Sequence, residues 1–122
     1  MFEIQLAPLS QNMAWAGKRY KTADYKQYEK KLMGHFKTLD LPKILQKEKF
    51  CVYYEWSITN RVDNSNCVKL FEDILCKYLQ VNDRDVLAFY SRKKVVKKID
   101  SNIKFAIFPS EYDLIQFLQK EV

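Results

Sequence analysis

The chain has 122 residues, 48% of them hydrophobic, and a formal net charge of +6, which suits one domain with its own core and a polyanionic partner such as nucleic acid. No run approaches the roughly 18 apolar residues of a membrane span. An odd count of three cysteines without a CxxC pair, a single histidine (His35) and only two glycines argue against a disulfide framework, a zinc site, histidine-based nucleophilic catalysis and Gly-rich phosphate loops.

The elements follow in chain order. The start, MFEIQLAPLS, lacks a basic n-region, so no secretion signal is expected and a cytoplasmic protein is the default. FEIQLAP alternates apolar and polar residues up to Pro8 and reads as a first strand. LSQNMAWAGKRYK reads as a loop with basic side chains at Lys18, Arg19 and Lys21. Thr22 suits a helix N-cap with Asp24 in the first turn. The helix would run from about Ala23 to Phe36, with Tyr25, Tyr28, Leu32 and Phe36 on one face.

Pro42 breaks the link that follows, and KFCVYYEWSI, rich in aromatic and β-branched residues, predicts the strongest strand. NCVKLFEDILCKYL predicts a second helix from near Asn66, with Val68, Phe71, Leu75, Tyr78 and Leu79 on one side of it. VLAFYSRKKVV and NIKFAIFP predict two more strands, and Ser110 with Asp113 resembles a capping box before a short last helix, EYDLIQFLQKE. The expected fold is α/β (α+β), over residues 1–122: a small mixed sheet of about four strands, two main helices and a short C-terminal helix.

Against the basic background, NRVDNSNCVKLFEDILCKYLQVNDRDV gathers Asp63, Glu72, Asp73, Asp83 and Asp85 around Lys69. Two readings stay open from spacing alone. Lys69 and Asp73 make an i,i+4 pair, which suits a solvated helix face. If the strand after the second helix lies beside the one before it, the loops carrying Asp63 and Asp83 would meet at one sheet end and share a hard cation such as Mg²⁺, which relieves carboxylate repulsion and activates water against a phosphodiester. A nearby lysine would then neutralise charge on the phosphate.

The stretch RVDNSNCVKLFEDILCKYLQVNDRDV resembles the signature of the RusA family of Holliday-junction resolvases, often phage or prophage encoded. That signature has an Asp-x-Asp-Asn group, a Lys three residues on, an Asp four later and a further Asp pair. The matching positions here are Asp63, Ser65, Asn66, Lys69, Asp73 and Asn82–Asp83. LAPLSQNMAWAGKRYKTADYKQYEKKL is similar to the family's opening strand, loop, basic turn and first helix, so the resemblance spans nearly the whole chain in order.

What the resemblance implies is a homodimeric endodeoxyribonuclease of RusA-like fold that cuts four-way junction DNA with Mg²⁺ or Mn²⁺, in recombination and repair. Asp63 and Asp83 would be metal-binding carboxylates, Lys69 the site lysine and Asp73 a supporting acid. Two positions depart from the pattern, Ser65 for the second Asp and Asn82 for the first of the later pair. Glu72 replacing the missing carboxylate, or Ser65 holding a metal-bound water, would compensate. Lys18, Arg19, Lys21, Arg61, Arg92, Lys93 and Lys94, with Lys97 and Lys98 beyond them, are the expected phosphate contacts, and Trp15 and Tyr20 are candidates to stack on an unpaired base. A relative that grips branched DNA without cutting it, and a prophage interaction protein whose acids are only a solvated face, are the alternatives.

Overall fold

The computed structural model describes residues 1–11 and 22–121, together with the backbone of Trp15–Ala16 and Tyr20–Lys21. Its elements are β1 (Phe2–Ile4), β2 (Trp15–Ala16), β3 (Tyr20–Lys21), α1 (Ala23–Thr38), β4 (Phe50–Ile58), α2 (Ser65–Leu79), β5 (Val86–Val95), β6 (Asn102–Phe108) and α3 (Glu111–Glu121). Four strands form one mixed sheet in the order β1-β6-β4-β5, so the expected α+β architecture is present. One element is additional. The first loop carries a two-residue antiparallel ladder, Trp15 opposite Lys21 and Ala16 opposite Tyr20.

β4 is the central strand because nearly every side chain on it is apolar or aromatic and can be buried on both faces. Phe50, Val52, Tyr54, Trp56 and Ile58 pack with Tyr25, Tyr28, Leu32 and Phe36 of α1 and with Phe71 and Leu75 of α2. Cys51 and Tyr53 point to the other face, where Ala106 and Leu114 cover them. The four α1 residues expected on its apolar face are the four it buries. α2 buries a wider arc than expected, including Cys67, Leu70, Ile74 and Cys76, because α1 flanks it while the sheet lies beneath it.

Local chemistry sets the helix ends. Thr22 Oγ1 accepts the Tyr25 N–H at 3.2 Å and starts α1. Ser110 accepts the Asp113 N–H at 3.2 Å, and its hydroxyl donates to the Asp113 carboxylate at 2.8 Å. That is half of a capping box, since aspartate is one methylene shorter than the usual glutamate. α2 ends at Gln80, whose φ of 59° lies in the left-handed region, and the N–H of Val81 returns to the Cys76 carbonyl at 3.0 Å.

The orientation of the strands matters most for the site. β6 runs antiparallel to β4, but β5 runs parallel to it, with Phe50 opposite Val86 and Ile58 opposite Val95. α2 is therefore a crossover that carries the chain from the far end of β4 back to the near end of β5. All three cysteines are free and buried. Among the described residues, no helix is long and apolar enough to cross a membrane.

Candidate functional site

The turn between β4 and α2 is built from backbone carbonyls that need donors. Lys93 on β5 supplies them, its ammonium donating to the carbonyls of Val62 at 2.7 Å and Asn60 at 3.1 Å. Asn64 fastens the same turn to β5. Its Nδ2 donates to the Ser91 carbonyl at 3.0 Å, and its Oδ1 accepts from the Ser91 hydroxyl. That hydroxyl in turn accepts the Trp56 indole N–H at 2.7 Å. Asp63 sits in this turn, its backbone carbonyl accepting the Asn66 N–H and the Cys67 thiol. Its side chain is exposed, as is that of Ser65 at the first position of α2.

The second group lies along α2 and at the start of β5. The Lys69 ammonium donates to Asp73 Oδ1 and Asp83 Oδ2, each at 3.0 Å. Asp83 opens the short 3₁₀ turn Asp83–Asp85, which Asn82 caps by accepting the Arg84 N–H at 3.0 Å. Glu72 stands beside them and accepts the Tyr54 hydroxyl at 2.7 Å. Asp85 belongs elsewhere, buried and bonded to Lys49 at 2.6 Å.

Charges on this flank are mutually tuned. Hydrogen bonds from Lys69 hold the Asp83 carboxyl below its ordinary range, and those with Asp73 and Asp83 raise the Lys69 ammonium above its own. Burial pushes the Glu72 carboxyl up, against the Tyr54 hydroxyl that steadies its charged form. Burial and the facing Glu72 also raise the Tyr54 hydroxyl well above its usual value.

The structure thus brings Lys69, Asp73, Asp83 and Glu72 into one neighbourhood, with Ser65 one turn before Lys69 on α2, and leaves Asp63 outside it. The expectation that the two loops meet required the strand ends to coincide. A parallel β5 puts the end of β4 and the start of β5 at opposite ends of the sheet. Asp83 lies level with Asp73, and Asp63 is ten residues back along the chain, about 15 Å of axis at 1.5 Å per residue. Among the described residues, no three His, Cys, Asp or Glu side chains are grouped to hold a metal ion. The Lys69 ammonium fills the space a cation would take between Asp73 and Asp83. Within one chain Asp63 and Asp83 therefore do not meet to share a divalent ion.

The cations expected on DNA divide into three sets. Arg61 lies with Lys98, Ser101 and Pro8 around a cavity of about 590 Å³ at the far end of β4. Arg92 and Lys94 point to the α3 face, opposite Glu55 and Ser57 of β4, while two of the three Lys93 donors are engaged by the turn. Lys18 and Arg19, like the side chains of Trp15, Tyr20 and Lys21, lie outside the described residues. The residues that sequence reasoning missed are Asn64, Ser91 and Trp56. An Asn just before a helix was a visible signal, yet its partner on β5 depends on strand order.

Fold and site together define a small α+β protein with a basic surface and one charged flank on its crossover helix. No protein-family model matches the chain, and no curated protein matches it.

Proposed function

We propose that this chain acts on branched DNA as a structure-selective endonuclease of the RusA kind, nicking paired strands of a four-way junction in the cytoplasm of a bacterial or phage-infected cell. The observation that carries the reading is the meeting of Lys69, Asp73 and Asp83. These are three motif positions that the RusA resemblance assigns to one site, and they lie ten or more residues apart at their extremes. The net charge of +6 and the cations at Arg61, Arg92, Lys94, Lys97 and Lys98 support a polyanionic partner.

In this reading Lys69 holds the scissile phosphate. Free of DNA, its ammonium is clamped by two carboxylates. A bound phosphate competes for the same donors and gains a charge-assisted contact. Glu72, kept near the site by Tyr54, is the group most suited to hold a proton, since burial favours its neutral form. Mg²⁺ or Mn²⁺ remains part of the proposal as the cofactor that the resemblance implies.

A second reading, binding without cutting, is favoured by Ser65 at an acid's position and by the distance of Asp63 from Asp83. One experiment decides. A synthetic four-way junction is incubated with the protein, with and without Mg²⁺ or Mn²⁺, and run on native and denaturing gels. Metal-dependent nicks, reduced at least about 10²-fold in Lys69→Ala, support the enzyme. A salt-sensitive shift without nicks supports the binder. Neither shift nor nicks removes both and leaves a protein-interaction role.

A further inference from the structure

We propose that the cavity at the far end of β4 binds a nucleoside 5′-monophosphate, either free or as the 5′ end of a DNA strand. The site shares no residue with the Lys69 flank and stands without the nuclease reading.

The cavity, about 590 Å³, has the size that takes small organic ligands, and three segments wall it. Ile58 and Val62 come from β4 and the turn after it, Ala7 and Pro8 from the stretch after β1, and Lys98 and Ser101 from the link between β5 and β6. Ile58 is 2% exposed and Val62 packs against the main core, so the floor is apolar and fixed. Backbone bonds tie the walls. The Ile58 carbonyl accepts the Val96 N–H at 2.9 Å, the Thr59 carbonyl the Val62 N–H at 3.2 Å, and the Lys98 carbonyl the Ser101 N–H at 3.2 Å. Lys93 holds the same turn from β5. The cavity is therefore formed before a ligand arrives, which lowers the ordering cost of binding.

Its charge is one-sided. Two cations and no acid are among the described residues that line it. Arg61 and Lys98 are exposed and have no ion-pair partner among the described residues, whereas Lys69, Lys77 and Lys104 are each set against a carboxylate. A phosphate monoester, with a charge of roughly −1.5 to −2 at pH 7, complements such a pair. Thr59, Asn60 and Ser101 add side-chain donors and acceptors that make no hydrogen bond among the described residues.

This mixture selects the ligand. A sugar phosphate would leave the apolar floor without a partner, and a fatty carboxylate would cover the polar side chains without pairing them. A nucleotide satisfies both. Its flat ring would lie on Ile58, Val62 and Pro8, its ring edge would meet Thr59, Asn60 and Ser101, and its phosphate would meet Arg61 and Lys98.

Isothermal titration calorimetry with deoxynucleoside 5′-monophosphates tests the site. Wild type should bind them, with deoxynucleosides and deoxyribose 5-phosphate each at least about tenfold weaker, since each lacks half of the contacts. Arg61→Ala and Lys98→Ala should each weaken binding by about tenfold or more. Ala7→Trp fills the cavity from an exposed position without altering charge, and should abolish binding with unchanged circular dichroism. Lys37→Ala removes an exposed cation of α1 and should bind as wild type does. Short single strands with a 5′-phosphate or a 5′-hydroxyl identify the source. A preference of about tenfold for the 5′-phosphate, competed away by mononucleotide, assigns the site to a strand end. Equal binding of the two strands beside tight mononucleotide binding assigns it to the free nucleotide. Binding that survives Ala7→Trp, that falls equally in Lys37→Ala, or that deoxyribose 5-phosphate matches overturns the proposal, as does the absence of binding by mononucleotide and 5′-phosphate strand alike. A chain that binds mononucleotide but never nicks a junction removes the nuclease reading and leaves this site standing.

Discussion

The two ends of α2 use polar residues in opposite ways. At its start, Asn64, Ser91, Trp56 and Lys93 spend their hydrogen bonds on one another and on carbonyls of the turn, in partly buried positions. Farther along, Lys69, Asp73 and Asp83 pair on the surface, with Lys69 and Asp83 about half exposed. A partly buried bond that loses one member leaves the other unsatisfied, while an exposed ion pair that loses one member leaves the other in water. The first end is therefore scaffold, and the second is free to exchange its partners for a ligand.

The largest test of that contrast is Asn64→Ala. It removes two bonds to Ser91 and strands a carbonyl, and the expected loss is about 1–3 kcal/mol by chemical denaturation. A loss near zero would show that the turn is held some other way and would break the comparison.

Glu72→Gln sharpens it through pH. The folded carboxyl titrates above its unfolded value, near 4.3, so its contribution is fully present below that value and is lost as pH rises through the folded one. The Gln variant keeps an acceptor for the Tyr54 hydroxyl and has no such loss. It should match or exceed wild type at pH 7, by up to about 1 kcal/mol, with a flatter stability profile between pH 4 and 7. Asp83 has the opposite sign. Its folded value is depressed, so its contribution is present above the unfolded value near 3.9 and is lost as pH falls through the lower folded one.

Lys69→Met should have the smallest effect on stability, under about 1 kcal/mol and shrinking further with added salt, because the pairs are exposed. The same variant should return the Asp83 carboxyl towards its ordinary range in an NMR titration. A stability loss as large as that of Asn64→Ala would make Lys69 scaffold as well, and would weaken its assignment to a phosphate.

Much of this contrast was legible in the residues. Lys69 and Asp73 at i,i+4 had to meet on any helix, and Asp83 followed that helix closely enough to return to it. The turn was not legible, since Lys93 and Ser91 reach it only because β5 lies beside β4. Glu72 was visible as an acid on the right stripe, but its bond to Tyr54 depends on which face of β4 the helix covers.

By itself the sequence determined the helices and the long strands, because periodicity, capping residues and turn formers act over a few neighbours. Tyr25, Tyr28, Leu32 and Phe36 had to share a helix face, Thr22 had to cap it, and the aromatic run of β4 had to be buried on both sides. Only the tertiary structure decided that β5 is parallel to β4 and lies at the sheet's edge. That choice separates Asp63 from Asp83 and opens the edge, and it depends on how distant segments pack together, which no local pattern encodes.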